Sequence, residues 1–333
     1  MKRTVMVSIA LAVLLVGSSW GFLVHRTVNQ LAIYSLPKGV APFFYSGKDY
    51  LVKYSTRPDE RRNTDSAEAT KHFIDFEAFG DSAAWKMPYD WATAVQRYSV
   101  DSLLEYGYVP YQVMVTKAKL TEAFRLKNSD SILYYAADLG HYISDAHVPL
   151  HTSINYDGQL TGQKGLHSLW ESVIPEIELS NYNLYSKHKA KYLARPEEQL
   201  WKAVQEAHVL LTDVFGQEKE ASKGFTDSTK YRTQVRRGRE VKSYTTEFAR
   251  AYNARLGKTI NEQLLKSSAM VADFWYTSWV DAGKPDLSSL VKKRSEEEKD
   301  AYKKELKAYK KNELLKEKLL ISRRDQRQSG AGE

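Results

Sequence analysis

Apolar positions recur at helical spacing over most of the chain. Between residues 20 and 36, Phe22, Val24, Val28, Leu31 and Ile33 are apolar and Pro37 closes the run, which predicts a first helix. Residues 43–53 are aromatic-rich and read as helical. Residues 57–63 read as a charged loop, and 76–92 as irregular, with Gly80, Pro88 and a cluster of aromatics that includes Trp85, Tyr89 and Trp91. Two helical patterns follow, from about Trp91 to Glu105 and from Tyr111 to Leu126, with a break over 106–110. Ser129 is placed to cap the next helix, on which Ile132, Ala136, Leu139 and Ile143 form one apolar stripe. Tyr134, Asp138, His141 and Asp145 fall on the opposite side, so that face is either solvated or lines a polar cleft. Periodicity returns for Gln199 to Phe215, after a helix start at Arg195-Pro196, and again from about Glu240 to Trp279. Gly283 and Pro285 close the domain. No run of alternating strands, Gly-rich phosphate loop or repeat interrupts the pattern, and the fold class predicted is all-α.

The two ends differ from this middle. Lys2 and Arg3 precede an apolar run from Val5 to Val16, and Gly17-Ser18-Ser19 supplies small residues suited to cleavage before Trp20. Residues 1–19 therefore read as an export signal, too short in its apolar part for an ordinary membrane span. No other stretch is long and apolar enough to cross a bilayer, so no stable span is expected after cleavage. Residues 20–288 read as a single compact multi-helix domain. Residues 289–333 alternate Lys/Arg with Glu and read as a solvated, charged tail, helical or frayed.

Composition narrows the chemistry. The chain of 333 residues has no cysteine, which removes disulfides, thiolate metal sites and cysteine nucleophiles together. A metal would have to be held by His, Asp, Glu and backbone. The formal charge of +8 favours polyanionic partners such as nucleic acid or phospholipid surfaces, although part of it sits in the tail.

Of eight histidines, six fall in four short clusters: His25; His72; His141, His147 and His151; and His167. On a helix, His141 and Asp145 share one face, within reach of a single ion. Pro149 predicts a helix end near residue 148, which lets His151 swing away to a second centre. His167 and Glu171 repeat the four-residue spacing, with Pro175 close behind. One such pair is common by chance; two, each just ahead of a proline, point to the middle of a multi-zinc site.

These motifs resemble the zinc-dependent phosphodiesterase superfamily of bacterial phospholipases C and single-strand-specific nucleases. The matching residues are Trp20-Gly21-x-x-x-His25, Pro58-Asp59-x-x-Arg62, His72-Phe73-Ile74-Asp75, His141-x-x-x-Asp145-x-His147-x-Pro149-Leu150-His151 and His167-x-x-x-Glu171. They occur in the family's order and cover residues 20 to about 175. The resemblance implies three zinc ions. Asp59, His72, His141 and Asp145 would hold the first. Asp145 would bridge to a second, completed by His25 and by the freed amine and carbonyl of Trp20. His151, His167 and Glu171 would hold the third. Asp65 is the substitute if Asp59 points away, and His147 is not expected to be a ligand.

The activity so implied is hydrolysis of a phosphate ester, by in-line attack of a hydroxide between the Asp145-bridged ions. Asp59, Arg62, Asp75 and Asp145 would carry the chemistry, with Arg62 on the phosphate and Asp75 orienting it. Arg62 and Asp75 follow the nuclease pattern and favour single-stranded nucleic acid or nucleotides as substrate, with Tyr108, Tyr111 and Trp85 as candidate base-stacking residues. Glu171 follows the phospholipase pattern, and head-group cleavage of a phospholipid is the alternative. A zinc-stabilised envelope protein without turnover is the second alternative. The protein is expected to be a periplasmic or extracellular monomer with no protein partner evident.

Overall fold

The computed structural model describes residues 22–236, 239–291 and 295–323. Its first helix, Phe22–Ser35, carries an apolar stripe in sequence but is buried on almost every side. Such all-round burial is the mark of a central helix. It packs against the central helix Ser129–Asp145, the long helix Thr259–Asp281 and the short helix Lys48–Lys53. A Cβ on Gly140 would stand 1.9 Å from Asn29 Oδ1, so glycine is what lets the first and central helices approach this closely. Asn29 Nδ2 uses the space to donate to Leu51 O at 3.1 Å and Ala137 O at 3.4 Å. Nearby, Trp275 stacks on Phe44 with ring centroids 4.6 Å apart and donates from Nε1 to Ala136 O. Each such fully buried large side chain contributes about 1.5–3 kcal/mol of transfer free energy.

The fold is all-α. Its only strands among the described residues are a hairpin, Tyr231–Arg236 against Arg239–Tyr244, paired with Tyr231 opposite Tyr244. That hairpin corrects the expected helix from Glu240 to Trp279. The helical part is itself two helices, Thr246–Leu256 and Thr259–Asp281, separated where Gly257 takes φ 64°. The pattern from Trp91 to Glu105 likewise breaks at Ser99, giving Trp91–Tyr98 and Val100–Tyr106. The charged loop expected over 57–63 contains a short helix, Arg57–Arg61, with Pro58 in its first turn and Asp59 and Glu60 facing the positive end of the dipole. The cap of the central helix is Asn128, whose side chain accepts from Ser131 N, and not Ser129. Among the described residues, no helix is long and apolar enough to cross a membrane.

The largest departure is at the C-terminal end. Residues from 289 read as solvated, yet Ala308, Tyr309, Leu314, Leu320 and Ile321 are buried in the core. Glu305, in the helix Glu296–Lys310, is 4% exposed; it accepts from Tyr45 at 2.9 Å, from Tyr34, and from Lys48 Nζ at 2.6 and 2.7 Å. The chain then returns to the first helix. Gln30 bonds Leu319 O and Ile321 N, and Thr27 Oγ1 meets Ser322 Oγ at 2.9 Å. Apolar positions were sparse in this stretch, but Tyr302, Leu306 and Tyr309 still fall on one helical face.

Candidate metal centre

Three elements converge on Asp145. It ends the central helix, and the chain turns there because Val148, restricted by the following proline, adopts an extended backbone (φ −88°, ψ 117°). The turn sends His151 away from the helix face that holds His141 and Asp145. His151 is fixed beside His72 by two bonds: His151 Nδ1 donates to His72 O at 2.8 Å, and Ile74 N donates to His151 O at 2.9 Å. The third element, residues 166–178, is a helix with one π turn at Leu169–Val173, around Glu171. Such bulges re-aim side chains and recur at functional sites.

The donor atoms form three groups, each with its ligand atoms mutually within 4.8 Å: Asp59, His72 and His141; His25, His141 and Asp145; and His151, His167 and Glu171. Asp145 spans two of them. Its Oδ2 lies 2.9 Å from His72 Nδ1 and 3.2 Å from His141 Nε2, and its Oδ1 lies 3.6 Å from His25 Nε2. In the third group His167 Nε2 is 2.7 Å from Glu171 Oε2 and 2.9 Å from His151 Nε2. Glu171 also reaches back to His25, at 3.6 Å, so the three groups form one continuous nest.

The hydrogen bonds on the far sides of the rings suit a cation. His141 Nδ1 donates to Ser55 O at 2.7 Å, and His151 Nδ1 donates to His72 O. Each bond fixes the proton on Nδ1 and leaves a lone pair on Nε2 facing inward. Two inward nitrogens stand 3.0 Å apart at His72 and His141, an approach that either a shared proton or a cation between the lone pairs accommodates. Imidazoles and carboxylates in this ratio, without sulfur, are a zinc-type donor set. The residues present therefore fit zinc.

Proton equilibria say the same. Burial would push the His72 imidazole down, but its contacts with Asp145 and Glu68 and the charges of Asp145 and Asp59 outweigh this and carry it up to about 9. Burial likewise opposes ionisation of Asp145, and the surrounding imidazoles overcome it and hold the carboxyl well below the usual range. The nest attracts positive charge.

Its two sides differ. His25, His141 and Asp145 side chains are 0–3% exposed, whereas Asp59 is 27% and His167 29% exposed. Arg62 stands on that open edge, 39% exposed, 3.5 Å from Asp59 Oδ1 and close enough for its charge to act on His167. The partner expected for it was Asp75. Among the described contacts Arg62 pairs with Asp59 instead, and half-buried Asp75 is pushed up to about 7, by burial first and then by Glu77.

Asp65 does not take Asp59's place: its side chain is 49% exposed, 3.7 Å from Lys71. His147 is buried outside the three groups, with Nδ1 donating to Ile143 O. Trp20 lies outside the described residues. Tyr111 is a core residue packed on Trp201, Tyr108 is half-buried, and Trp85 is exposed beside His208. Sequence reasoning missed Glu68 and Arg61, buried or half-buried behind His72. The signal was available, since Glu68 and His72 repeat the four-residue spacing of the other pairs.

No protein-family model and no curated protein matches the chain. Among solved structures it is similar to the alpha toxin from Clostridium absonum, at 14% identity and TM-score 0.45, over 81% of this chain and 66% of that one. It is similar to the alpha-toxin of an avian strain of Clostridium perfringens at 15% identity and TM-score 0.45, over 79% of this chain and 65% of that one. The chain thus matches slightly less than two thirds of each toxin's length.

Proposed function

We propose that the protein is a zinc-dependent phosphoric ester hydrolase of phospholipase C type, cleaving the head-group phosphate ester of a phospholipid. The observation that carries the reading is the convergence of three His/carboxylate donor groups on one nest with an open edge. Zinc bound there supplies a water of pKa about 7 and positive charge beside the phosphate oxygens. Asp145, ionised and buried, joins the groups and orients four imidazoles. Arg62 is placed to receive a phosphate at the open edge, held by Asp59.

The lipid substrate is favoured by the surroundings of that edge. The loop between His151 and His167 exposes Ile154, Tyr156 and Leu160 at 40%, 51% and 66%, and the Tyr156 ring packs edge-on to His167 at 6.1 Å. Apolar side chains beside a phosphate site suit a substrate with acyl chains. The Arg62–Asp75 pairing, on which the nuclease reading leaned, is absent from the described contacts. The nuclease reading keeps the residue types at Arg62 and Asp75, while the +8 charge suits a phospholipid surface as well as nucleic acid.

Residues 1–19 are read as an export signal whose removal frees the Trp20 amine for the His25 group. The purified, zinc-loaded protein is to be assayed on short-chain phosphatidylcholine and on single-stranded DNA, with and without chelator. Chelator-sensitive release of phosphocholine supports the proposal. Cleavage of DNA alone transfers the reading to nuclease. Inactivity on both, with zinc bound, leaves the envelope protein without turnover. Mass spectrometry of the exported protein tests the start at Trp20.

A further inference from the structure

His72 differs from the two buried imidazoles of the nest whose far-side ring contacts are fixed. His141 and His151 turn Nε2 inward and commit Nδ1 to a backbone carbonyl. His72 turns Nδ1 inward, to within 2.9 Å of Asp145 Oδ2, 3.0 Å of His141 Nε2 and 3.6 Å of Asp59 Oδ1. A cation taken by Nδ1 forces the ring proton onto Nε2. That atom is buried and has no hydrogen-bond partner at ordinary distance. A buried donor without an acceptor costs about 1–3 kcal/mol. Facing it at 3.7 Å is Glu68 Oε1, on a residue that is itself 1% exposed.

We propose that Glu68 is the positioning residue of His72: it accepts the Nε2–H, fixes the tautomer and so presents Nδ1 to the metal. The neighbours of Glu68 fit this role. Tyr142 donates its hydroxyl to Oε1, Arg61 Nη2 lies 3.1 Å from the same oxygen, and Lys71 Nζ donates to Oε2 at 2.6 Å. Arg61 is shared with Asp138 at 2.9 Å, and Asp138 holds Arg57 at 2.6 Å. The carboxylate is thereby held immobile, with Oε1, which also takes Tyr142 and Arg61, aimed at the imidazole. Closing the 3.7 Å gap by less than 1 Å makes the bond. Carboxylates placed behind a ligating histidine raise its basicity and are worth about 10–100-fold in metal affinity.

The inference rests on the metal reading of the nest, and the test separates the two. The zinc-loaded protein, labelled with 15N at histidine, is compared with Glu68→Gln and Glu68→Ala by long-range 15N correlation and by chelator competition for zinc. In the wild type, the His72 resonances are expected to show Nδ1 bound to metal and a slowly exchanging proton on Nε2. Both variants are expected to lose affinity for one ion by about 10–100-fold, with faster exchange of that proton and unchanged affinity at the His151, His167 and Glu171 group. A wild-type His72 that binds zinc through Nε2, or variants with wild-type affinity and exchange, overturns the role of Glu68. A wild type that takes up no zinc overturns the metal reading and this inference with it. If a variant does not fold, the wild-type tautomer alone decides.

Discussion

Replacing Asp145 by Asn is the most demanding perturbation of the nest, because one uncharged group of the same size is asked to serve four imidazoles. Asp145 is 1% exposed, and its oxygens lie 2.9 Å from His72, 3.2 Å from His141, 3.6 Å from His25 and 3.7 Å from His151. In the metal-free protein at pH 7, His72 is cationic against this carboxylate, since its pKa is raised to about 9. Removing one partner of a buried ion pair costs about 3–5 kcal/mol, because the other charge stays buried without compensation. At about 2–4 °C per kcal/mol for a chain of this size class, chelated Asp145→Asn should melt roughly 6–20 °C below chelated wild type. On the proposed metal reading the zinc-loaded comparison should differ more, because Asp145→Asn then removes a direct ligand: affinity should fall by more than the roughly 100-fold that an outer partner can supply. Calorimetric melts with and without chelator, paired with metal analysis by mass spectrometry, read both effects. A variant that keeps the wild-type zinc content and melts within a degree or two of it in both conditions would refute the bridging role and the continuity of the three groups.

Three further outcomes are expected. Metal-free and zinc-loaded protein should respond to pH with opposite signs. The raised His72 pKa stabilises the metal-free fold fully below 6.5 and loses that contribution between 6.5 and about 9, some 3 kcal/mol at 1.36 kcal/mol per unit. Zinc requires neutral imidazoles, so the loaded form should weaken as pH falls, and melts at pH 6 and 9.5 with and without chelator check the crossing. Glu305→Gln should cost about 1–3 kcal/mol by removing the buried carboxylate that partly exposed Lys48 and the Tyr34 and Tyr45 hydroxyls share, and should expose the C-terminal segment to limited proteolysis; resistance equal to wild type would contradict its docked state. Gly140→Ala drives a methyl to 1.9 Å from Asn29 Oδ1 and should cost about 1–3 kcal/mol. Because Asn29 and His25 share one helix, the same variant should also weaken zinc retention, measured by chelator competition.

The donor set was legible because it rests on short-range rules. Four-residue spacing puts His141 beside Asp145 and His167 beside Glu171; Pro149 marks where the central helix gives way to a turn, whereas Pro175 lies within the helix 166–178. The fold class followed from periodicity for the same reason. What escaped notice depends on context that periodicity does not carry. Ser99 and Gly257 break helices at positive φ without disturbing the apolar pattern around them. The strands Tyr231–Arg236 and Arg239–Tyr244 are rich in polar residues, so they leave little alternation to read. Charge dominated residues 296–322, although a few apolar side chains and one buried carboxylate suffice to dock them. The resemblance paired Arg62 with Asp75, while one turn of helix puts Asp59 closer.

The strap at residues 319–323 bears on the order of events during biosynthesis. It ties the first helix at Thr27 and Gln30 and, through Arg323, reaches Glu176 on the segment that carries Glu171. Contacts between residues almost three hundred positions apart are late events in folding, since the intervening loop must close first. A chain not yet synthesised as far as residue 323 therefore has every imidazole of the nest but lacks the segment that clasps two of its walls together. On the metal reading proposed above, full capture of the ions waits for that segment.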